Sequence, residues 1–173
     1  RNAPGMRFEF MQMGIDPKDI SLIILTHAHM DHCANINAIK ELTNAPVLCH
    51  KNAIHFLKTG EFGPYLPRGE FGKMFIDLIS VNPIDLPDPI EPDIVVGDED
   101  FDLRPLGIHA KIIYTPGHVD SNICVVTDDR KAICGDTIII NPFNGGKGTA
   151  ALICEDEPAL RKSFDRLMEE ADI

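Results

Sequence analysis

The sequence is poor in positive charge. Its 173 residues include 16 lysines and arginines against 27 aspartates and glutamates, so the formal net charge is −11. A nucleic-acid-binding protein usually presents a basic surface to the phosphates. The composition therefore argues against DNA or RNA and favours a small-molecule substrate, while the acidity by itself indicates only a soluble chain.

Long apolar runs are absent as well. No stretch approaches the roughly 20 consecutive apolar residues that a membrane-spanning helix needs, so we expect no membrane partner. The hydrophobic fraction of 44% is ordinary for a globular protein, and 173 residues suffice for one sizeable core. We therefore expect a single domain over residues 1–173.

Cysteines are few, and their spacing suggests no disulfide framework. No Cys-x-x-Cys pair occurs, and most of the cysteines have aliphatic or alanine neighbours, as buried thiols in a reducing compartment would. We therefore expect a cytoplasmic protein. The five cysteines, an odd number, are Cys33, Cys49, Cys124, Cys134 and Cys154.

Hydrophobic periodicity predicts a layered α/β fold. A strand over Ser21–Thr26, a helix over Ala34–Leu42 and a strand over Pro46–Cys49 form a strand–helix–strand unit, and a short helix follows over Asn52–Lys58. An amphipathic helix is predicted over Glu157–Glu170. The short strands predicted between these two parts are Phe101–Leu103, Ile108–Thr115, Asn122–Thr127 and Lys131–Ile140.

Two segments are rich in glycine or proline. The first is a Pro/Gly-rich insertion at about residues 60–97, with one helix predicted over Phe71–Ile79. Such an insertion is either a wall of a binding site or a surface excursion without a chemical role. The second is a loop over Asn144–Gly148, where backbone N–H groups and Lys147 would suit an anion, although a simple turn is the favoured interpretation.

The strongest chemical signal follows the first predicted strand. Four metal-competent side chains fall within six residues there, and three imidazoles with a carboxylate suit a divalent metal such as zinc. Imidazoles crowded so closely gain little from a hydrophobic core, so the cluster predicts a metal site. The four side chains are those of His27, His29, Asp31 and His32.

Two later residues fit the same site. His118 follows a predicted strand in the sequence Thr-Pro-Gly-His, and Asp136 stands after Gly135 between apolar stretches. A carboxylate in an apolar strand costs free energy unless it is paired or bound to a metal. Cys134 would lie on the same face of a regular strand as Asp136, and we interpret it as a core residue.

In their order and spacing, these three motifs resemble the metallo-β-lactamase superfamily, and within it the glyoxalase II and lactonase-type hydrolases. The resemblance runs from about Met13 to Leu167. It implies an α/β fold of the αββα four-layer sandwich type. We expect the domain to be incomplete at both termini, because the family's strands before the first motif and its last histidine ligand are missing.

The resemblance also implies a ligand set and a metal content of two zinc ions. Aspartate rather than cysteine stands at the bridging position, which makes the chain less similar to a true lactamase. The resemblance assigns His27, His29 and His118 to the first metal, Asp31 and His32 to the second, and Asp136 to the bridge between them.

The implied activity is hydrolysis of an ester, thioester, lactone or amide by a metal-activated hydroxide. Asp31 would be the catalytic residue that orients the hydroxide and passes its proton to the leaving group. The alternative is a mononuclear non-haem iron oxidoreductase similar to persulfide dioxygenases, with iron held by His27, His118 and Asp136. A non-catalytic domain with a structural metal is disfavoured, because no Cys₄-type closure is present.

Overall fold

The computed structural model describes residues 3–61, 63–79, 88–141, 145 and 147–172. Contacts between Cα atoms group the chain into two compact units. The first comprises Arg1–Gly63 and Asp85–Val96, and the second Pro64–Ile84 and Gly97–Ile173. No helix among the described residues combines the length and apolarity needed to cross a bilayer. The expectation of a single domain over residues 1–173 stays a prediction.

The first unit is built around a parallel three-stranded sheet in the order β1-β2-β3. All four residues of the central strand are buried, as expected for a strand covered on both faces. The predicted strand–helix–strand unit is confirmed. The elements are α1 (Ala3–Gln12), β1 (Ile23–Ile24), α2 (Met30–Cys33), α3 (Ile36–Thr43), β2 (Val47–His50), α4 (Ile54–Thr59) and β3 (Ile94–Val96).

A side chain fixes the third strand beside the second. The Asp93 carboxylate accepts hydrogen bonds from the Val47 N–H at 2.8 Å and from the Lys40 ammonium at 2.5 Å. These two donors hold the pKa of Asp93 below its usual value. Because the carboxylate stands just before β3, it sets the position at which that strand joins the sheet.

The second unit contains an antiparallel sheet in the order β4-β5-β6-β7 and a separate two-stranded sheet of β8 and β9. The long predicted C-terminal helix is confirmed at both ends, and Asp156 caps it by accepting from the Ala159 N–H. The elements are α5 (Gly69–Ile79), β4 (Phe101–Asp102), β5 (Ala110–Tyr114), β6 (Ile123–Thr127), β7 (Ala132–Ile133), β8 (Ile138–Asn141), β9 (Lys147–Ala150) and α6 (Glu157–Glu170).

The predicted continuous strand over Lys131–Ile140 is wrong. Strand β7 ends at Ile133, a 3-10 turn follows over Gly135–Thr137, and β8 then pairs with β9 in another sheet. The chain leaves the β4-β5-β6-β7 sheet because Gly135 has a positive φ of 51°, a conformation that interrupts a strand. Asp136 therefore lies in a turn between two sheets.

The glycine-rich loop predicted over Asn144–Gly148 is shorter than expected. Lys147 and Gly148 belong to strand β9. Asn144 and Gly146 lie outside the described residues, so the predicted anion cradle stays a prediction.

Candidate metal centre

The histidine-rich segment passes directly from β1 into α2. His29 is the residue before the first turn of α2, and its backbone is extended, with φ −76° and ψ 151°. The N–H groups of His32 and Cys33 both donate to the His29 carbonyl at 3.0 Å. His27 and His29 therefore precede the helix, while Asp31 and His32 lie in its first turn.

The first two histidines form a buried pair. His27 and His29 are 0% and 1% exposed, and their rings meet edge to face with centroids 4.8 Å apart. One ligand nitrogen of each lies within 4.8 Å of the other. The Thr26 hydroxyl is 3.2 Å from His27 Nδ1. Two protonated imidazoles at this separation would repel each other, so the pair is suited to neutral rings that bind a cation.

Gly63 packs against the second histidine of that pair. Its N–H donates to the Ala28 carbonyl at 3.0 Å, and a Cβ at this position would lie 3.4 Å from His29 Cδ2. The backbone after α4 thus forms one wall beside the His29 ring. This role was not predictable from the residue type, because the contact is made by main-chain atoms.

Asp31 and His32 form a second pair that is open to solvent. The Asp31 side chain is 66% exposed and the His32 side chain 27% exposed, and Asp31 Oδ2 lies 3.6 Å from His32 Nε2. The rings of His27 and His32 are also close, with centroids 4.0 Å apart. Asp31 is therefore the predicted site residue with the greatest access to water in this unit.

In the second unit His118 is buried and held in one orientation. Its side chain is 1% exposed, and Nδ1 lies 2.7 Å from the carbonyl oxygen of Ile153. Because a carbonyl oxygen only accepts, Nδ1 must donate, and the lone pair of the neutral ring then resides on Nε2. Metal-binding histidines have this arrangement, with the other ring nitrogen hydrogen-bonded to a carbonyl or carboxylate.

The structure brings Asp136 to this histidine. Asp136 Oδ2 lies 3.6 Å from His118 Nε2, and the Asp136 side chain is 28% exposed. The sequence predicted the carboxylate but placed it in a strand, whereas the 3-10 turn presents it to His118. The second unit therefore contributes one imidazole and one carboxylate as adjacent ligand candidates.

The turn that carries His118 is fixed by residues 153–156, which sequence reasoning missed. The Glu155 N–H donates to the His118 carbonyl at 3.1 Å, and the Asp156 N–H donates to the Gly117 carbonyl at 3.0 Å. Together with the Ile153 carbonyl, these bonds hold the backbone and the ring of the histidine. The Cys154 thiol also donates to the Gly117 carbonyl at 3.2 Å. These partners lie more than 30 residues from the turn, so no local sequence pattern indicates them.

Three of the five cysteines are buried, and the other two are half-buried. Burial raises the pKa of Cys33 and of Cys124 to about 11, and that of Cys49 to about 12. Thiols with such pKa values stay protonated at neutral pH and are poor nucleophiles. Burial also raises the pKa of Cys134, whose Sγ lies 3.8 Å from the Ile138 carbonyl oxygen.

Replacement of Cys134 by serine tests its interpretation as a core residue. We expect Cys134→Ser to lower the free energy of unfolding by about 1 kcal/mol and to leave metal content unchanged. Chemical unfolding and metal analysis of the purified variant check both expectations. Loss of metal would instead show that the thiol belongs to the ligand set.

The family model of the metallo-β-lactamase superfamily matches residues 3–159. The probable metallo-hydrolase MJ0888 of Methanocaldococcus jannaschii is 32% identical over 87% of this chain and 63% of that relative. The probable metallo-hydrolase YqgX of Bacillus subtilis is 29% identical over 82% of this chain and 59% of the relative. A hydroxyacylglutathione hydrolase of Francisella tularensis subsp. holarctica is 27% identical over 75% of this chain and 36% of the relative.

The chain thus spans between 59% and 63% of the length of the two probable metallo-hydrolases. Among solved structures, TTHA1623 in a di-iron-bound form matches with a TM-score of 0.65 and 19% identity, over 98% of this chain and 72% of that chain. The metallo-β-lactamase MIM-1 from Novosphingobium pentaromativorans matches with a TM-score of 0.62 and 17% identity, over 99% and 60% of the two chains. These likenesses confirm the predicted fold class, and the chain belongs to the metallo-β-lactamase superfamily, with probable metallo-hydrolases among its relatives.

Proposed function

We propose that the protein is a metal-dependent hydrolase. The observation that carries the proposal is His118, a fully buried imidazole whose Nδ1 donates to Ile153 and whose Nε2 lies 3.6 Å from the Asp136 carboxylate. A neutral Nε2 lone pair beside a carboxylate oxygen is a donor set that fits zinc. The first ion is assigned to four residues: His27, His29, His118 and Asp136.

Asp31 and His32, together with Asp136, would hold a second ion. The proposal of two zinc ions is supported by the 3.6 Å separation of Asp31 Oδ2 and His32 Nε2 and by the similarity of the motif to the family pattern. Both side chains are partly open to solvent, so a second ion would be reached by water and substrate.

When bound, a divalent metal would lower the pKa of a coordinated water and polarise the carbonyl group of the substrate. The protein's own residues handle the proton. The Asp31 carboxylate is 66% exposed at the start of α2, where it can accept a proton from the attacking water and return it to the leaving group. Hydrolysis then gives a carboxylic acid and a thiol, alcohol or amine.

The substrate class we propose is a small ester, thioester, lactone or amide. The net charge of −11 supports a small molecule over a nucleic acid. A hydroxyacylglutathione thioester is the first compound to test, because that substrate appears in the name of one relative. The five cysteines are all free thiols, which supports a cytoplasmic location.

Metal analysis and a substrate panel test the proposal together. We expect two zinc ions per chain, hydrolysis of a thioester or lactone, loss of activity with a chelator and recovery with zinc. The panel should include a β-lactam, for which we expect the weakest turnover because aspartate stands at position 136. Bound iron instead of zinc, together with oxygen consumption when a persulfide is offered as substrate, would favour the oxidoreductase alternative.

Two histidine variants make the metal measurement specific. His118→Ala should lose metal and activity, because it removes the buried Nε2 ligand. His109→Ala is the matched control, since His109 lies in the same unit with a side chain that is 87% exposed, and it should keep both. Equal metal content in the two variants would contradict the ligand assignment.

A further inference from the structure

Three buried polar side chains connect the two turns that carry His118 and Asp136. Thr115, Asn122 and Thr137 are each 0% exposed, and we call them the buried polar cluster. Thr115 and Asn122 stand at the two ends of the loop that contains His118. Thr137 directly follows Asp136 in the 3-10 turn.

The Asn122 side chain joins the members of this cluster. Its Nδ2 donates to Thr137 Oγ1 at 2.8 Å and to Thr115 Oγ1 at 2.9 Å. The main chain supports the same arrangement, because the Thr115 N–H donates to the Asn122 carbonyl at 3.0 Å. One amide group thus ties the 3-10 turn to the loop between β5 and β6.

Stability alone does not account for these residue types. Burying polar side chains costs desolvation free energy, and apolar residues of similar size are often as stable. Among the described residues Asn122 Oδ1 has no hydrogen-bond donor, which is a further cost. The cluster therefore has a role other than packing.

That role follows from where the turn lies. The turn over Gly135–Thr137 falls between β7 and β8, which belong to different sheets, so neither sheet's ladder of hydrogen bonds includes it. Thr137 Oγ1 joins the turn to the loop that carries His118, through the Asn122 amide at 2.8 Å and, at the longer distance of 3.4 Å, through the Thr115 hydroxyl. Loss of the shorter bond would weaken the hold on the turn and let Asp136 move relative to His118.

We propose that Asn122 is a positioning residue for the metal centre, which acts through Thr137 to hold the Asp136 carboxylate at its distance from His118. This inference rests on the proposed function, since it takes His118 and Asp136 to be metal ligands. Partners outside the ligand set typically change metal affinity by about 10- to 100-fold when they are removed. We expect an effect near the lower end, because Asn122 is one residue further from the metal.

Two substitutions at Thr137 separate hydrogen bonding from packing. Thr137→Val keeps the volume but removes the hydroxyl, whereas Thr137→Ser keeps the hydroxyl and removes a methyl group. We expect the valine variant to bind zinc about tenfold more weakly, and the serine variant to bind as the wild type does. Affinity is measured by competition with a chromogenic chelator. When zinc is replaced by cobalt, the visible spectrum of the Thr137→Val variant should differ from that of the wild type, and the spectrum of the Thr137→Ser variant should not.

Two further variants distinguish a specific effect on zinc binding from a general loss of stability. Asn122→Ala removes the amide while keeping the main-chain bond to Thr115, and it should weaken zinc binding as Thr137→Val does. Val126→Ala is the control, because Val126 is buried in β6 and packs in the hydrophobic core rather than in the cluster. It should lower the thermal stability of the metal-free protein without changing zinc affinity.

The outcomes separate failure of the proposed function from failure of the role assigned to Asn122. Wild-type protein without bound metal would overturn the proposed function and this inference with it. Metal binding by the wild type, with unchanged affinity in Thr137→Val and Asn122→Ala, would overturn this inference alone. Weaker binding in Thr137→Ser than in Thr137→Val would also overturn it, since that order shows packing of the methyl group to be the cause.

Discussion

Asp31→Asn should lower kcat by about 10²- to 10⁴-fold, the usual contribution of a general acid–base group. Asparagine has the shape of aspartate but accepts no proton at neutral pH. The side chain is 66% exposed at the first turn of α2, so the fold should tolerate the change. Metal content should fall only in part, because the other assigned ligands remain. Steady-state kinetics on the responsive substrate, with metal analysis of the same sample, give the result.

Glu41→Gln is the matched control for this experiment. Glu41 is an exposed carboxylate on α3 of the same unit, so the substitution removes the same charge from the same part of the chain. Its turnover should equal that of the wild type. If Asp31→Asn also turns over near the normal rate, the assigned role of Asp31 in proton transfer is wrong.

Gly117→Ala should be the most destabilising single substitution in the His118 turn. Gly117 has a φ of 132°, which side-chain-bearing residues rarely adopt, and an added Cβ would lie 2.1 Å from the backbone nitrogen of Leu160. Helix α6 would have to move away from the turn. We expect a loss of about 3–5 kcal/mol in the free energy of unfolding, together with loss of metal because His118 is the next residue.

Gly107→Ala isolates the contribution of backbone strain. Gly107 also has a positive φ, of 80°, but no atom lies within 4 Å of the position its Cβ would take. This variant should therefore lose only about 1 kcal/mol, the cost of a left-handed conformation for alanine. Chemical denaturation of both variants gives the comparison, and equal losses would show that the contact with α6 is unimportant.

The histidine cluster was predictable because its side chains are neighbours in the sequence. His27, His29 and His32 are within six residues, so no long-range contact is needed to bring them close. Helix α6 was predictable for a similar reason, since its apolar residues repeat with the period of one helix face. In both cases the signal is local.

The break before β8 was not predictable from local pattern. The apolar residues on both sides of Gly135 resemble one continuous strand, and the hydrogen bond that fixes the turn joins Thr137 to Asn122, 15 residues away. Strand β3 was missed because it has only three residues in a proline-rich segment and depends on Asp93 for its position. Helix α1 lacks apolar periodicity, and its Phe8 and Met11 are exposed.

The bond between His118 and Ile153 also sets an order of events during translation. The two residues are 35 positions apart, so at about 5–20 residues per second the ribosome adds Ile153 roughly 2–7 s after His118. During that interval the nascent histidine lacks the carbonyl that fixes its tautomer and its ring. Metal capture by His118 in the cell is therefore expected only after Ile153 has been added and has left the exit tunnel.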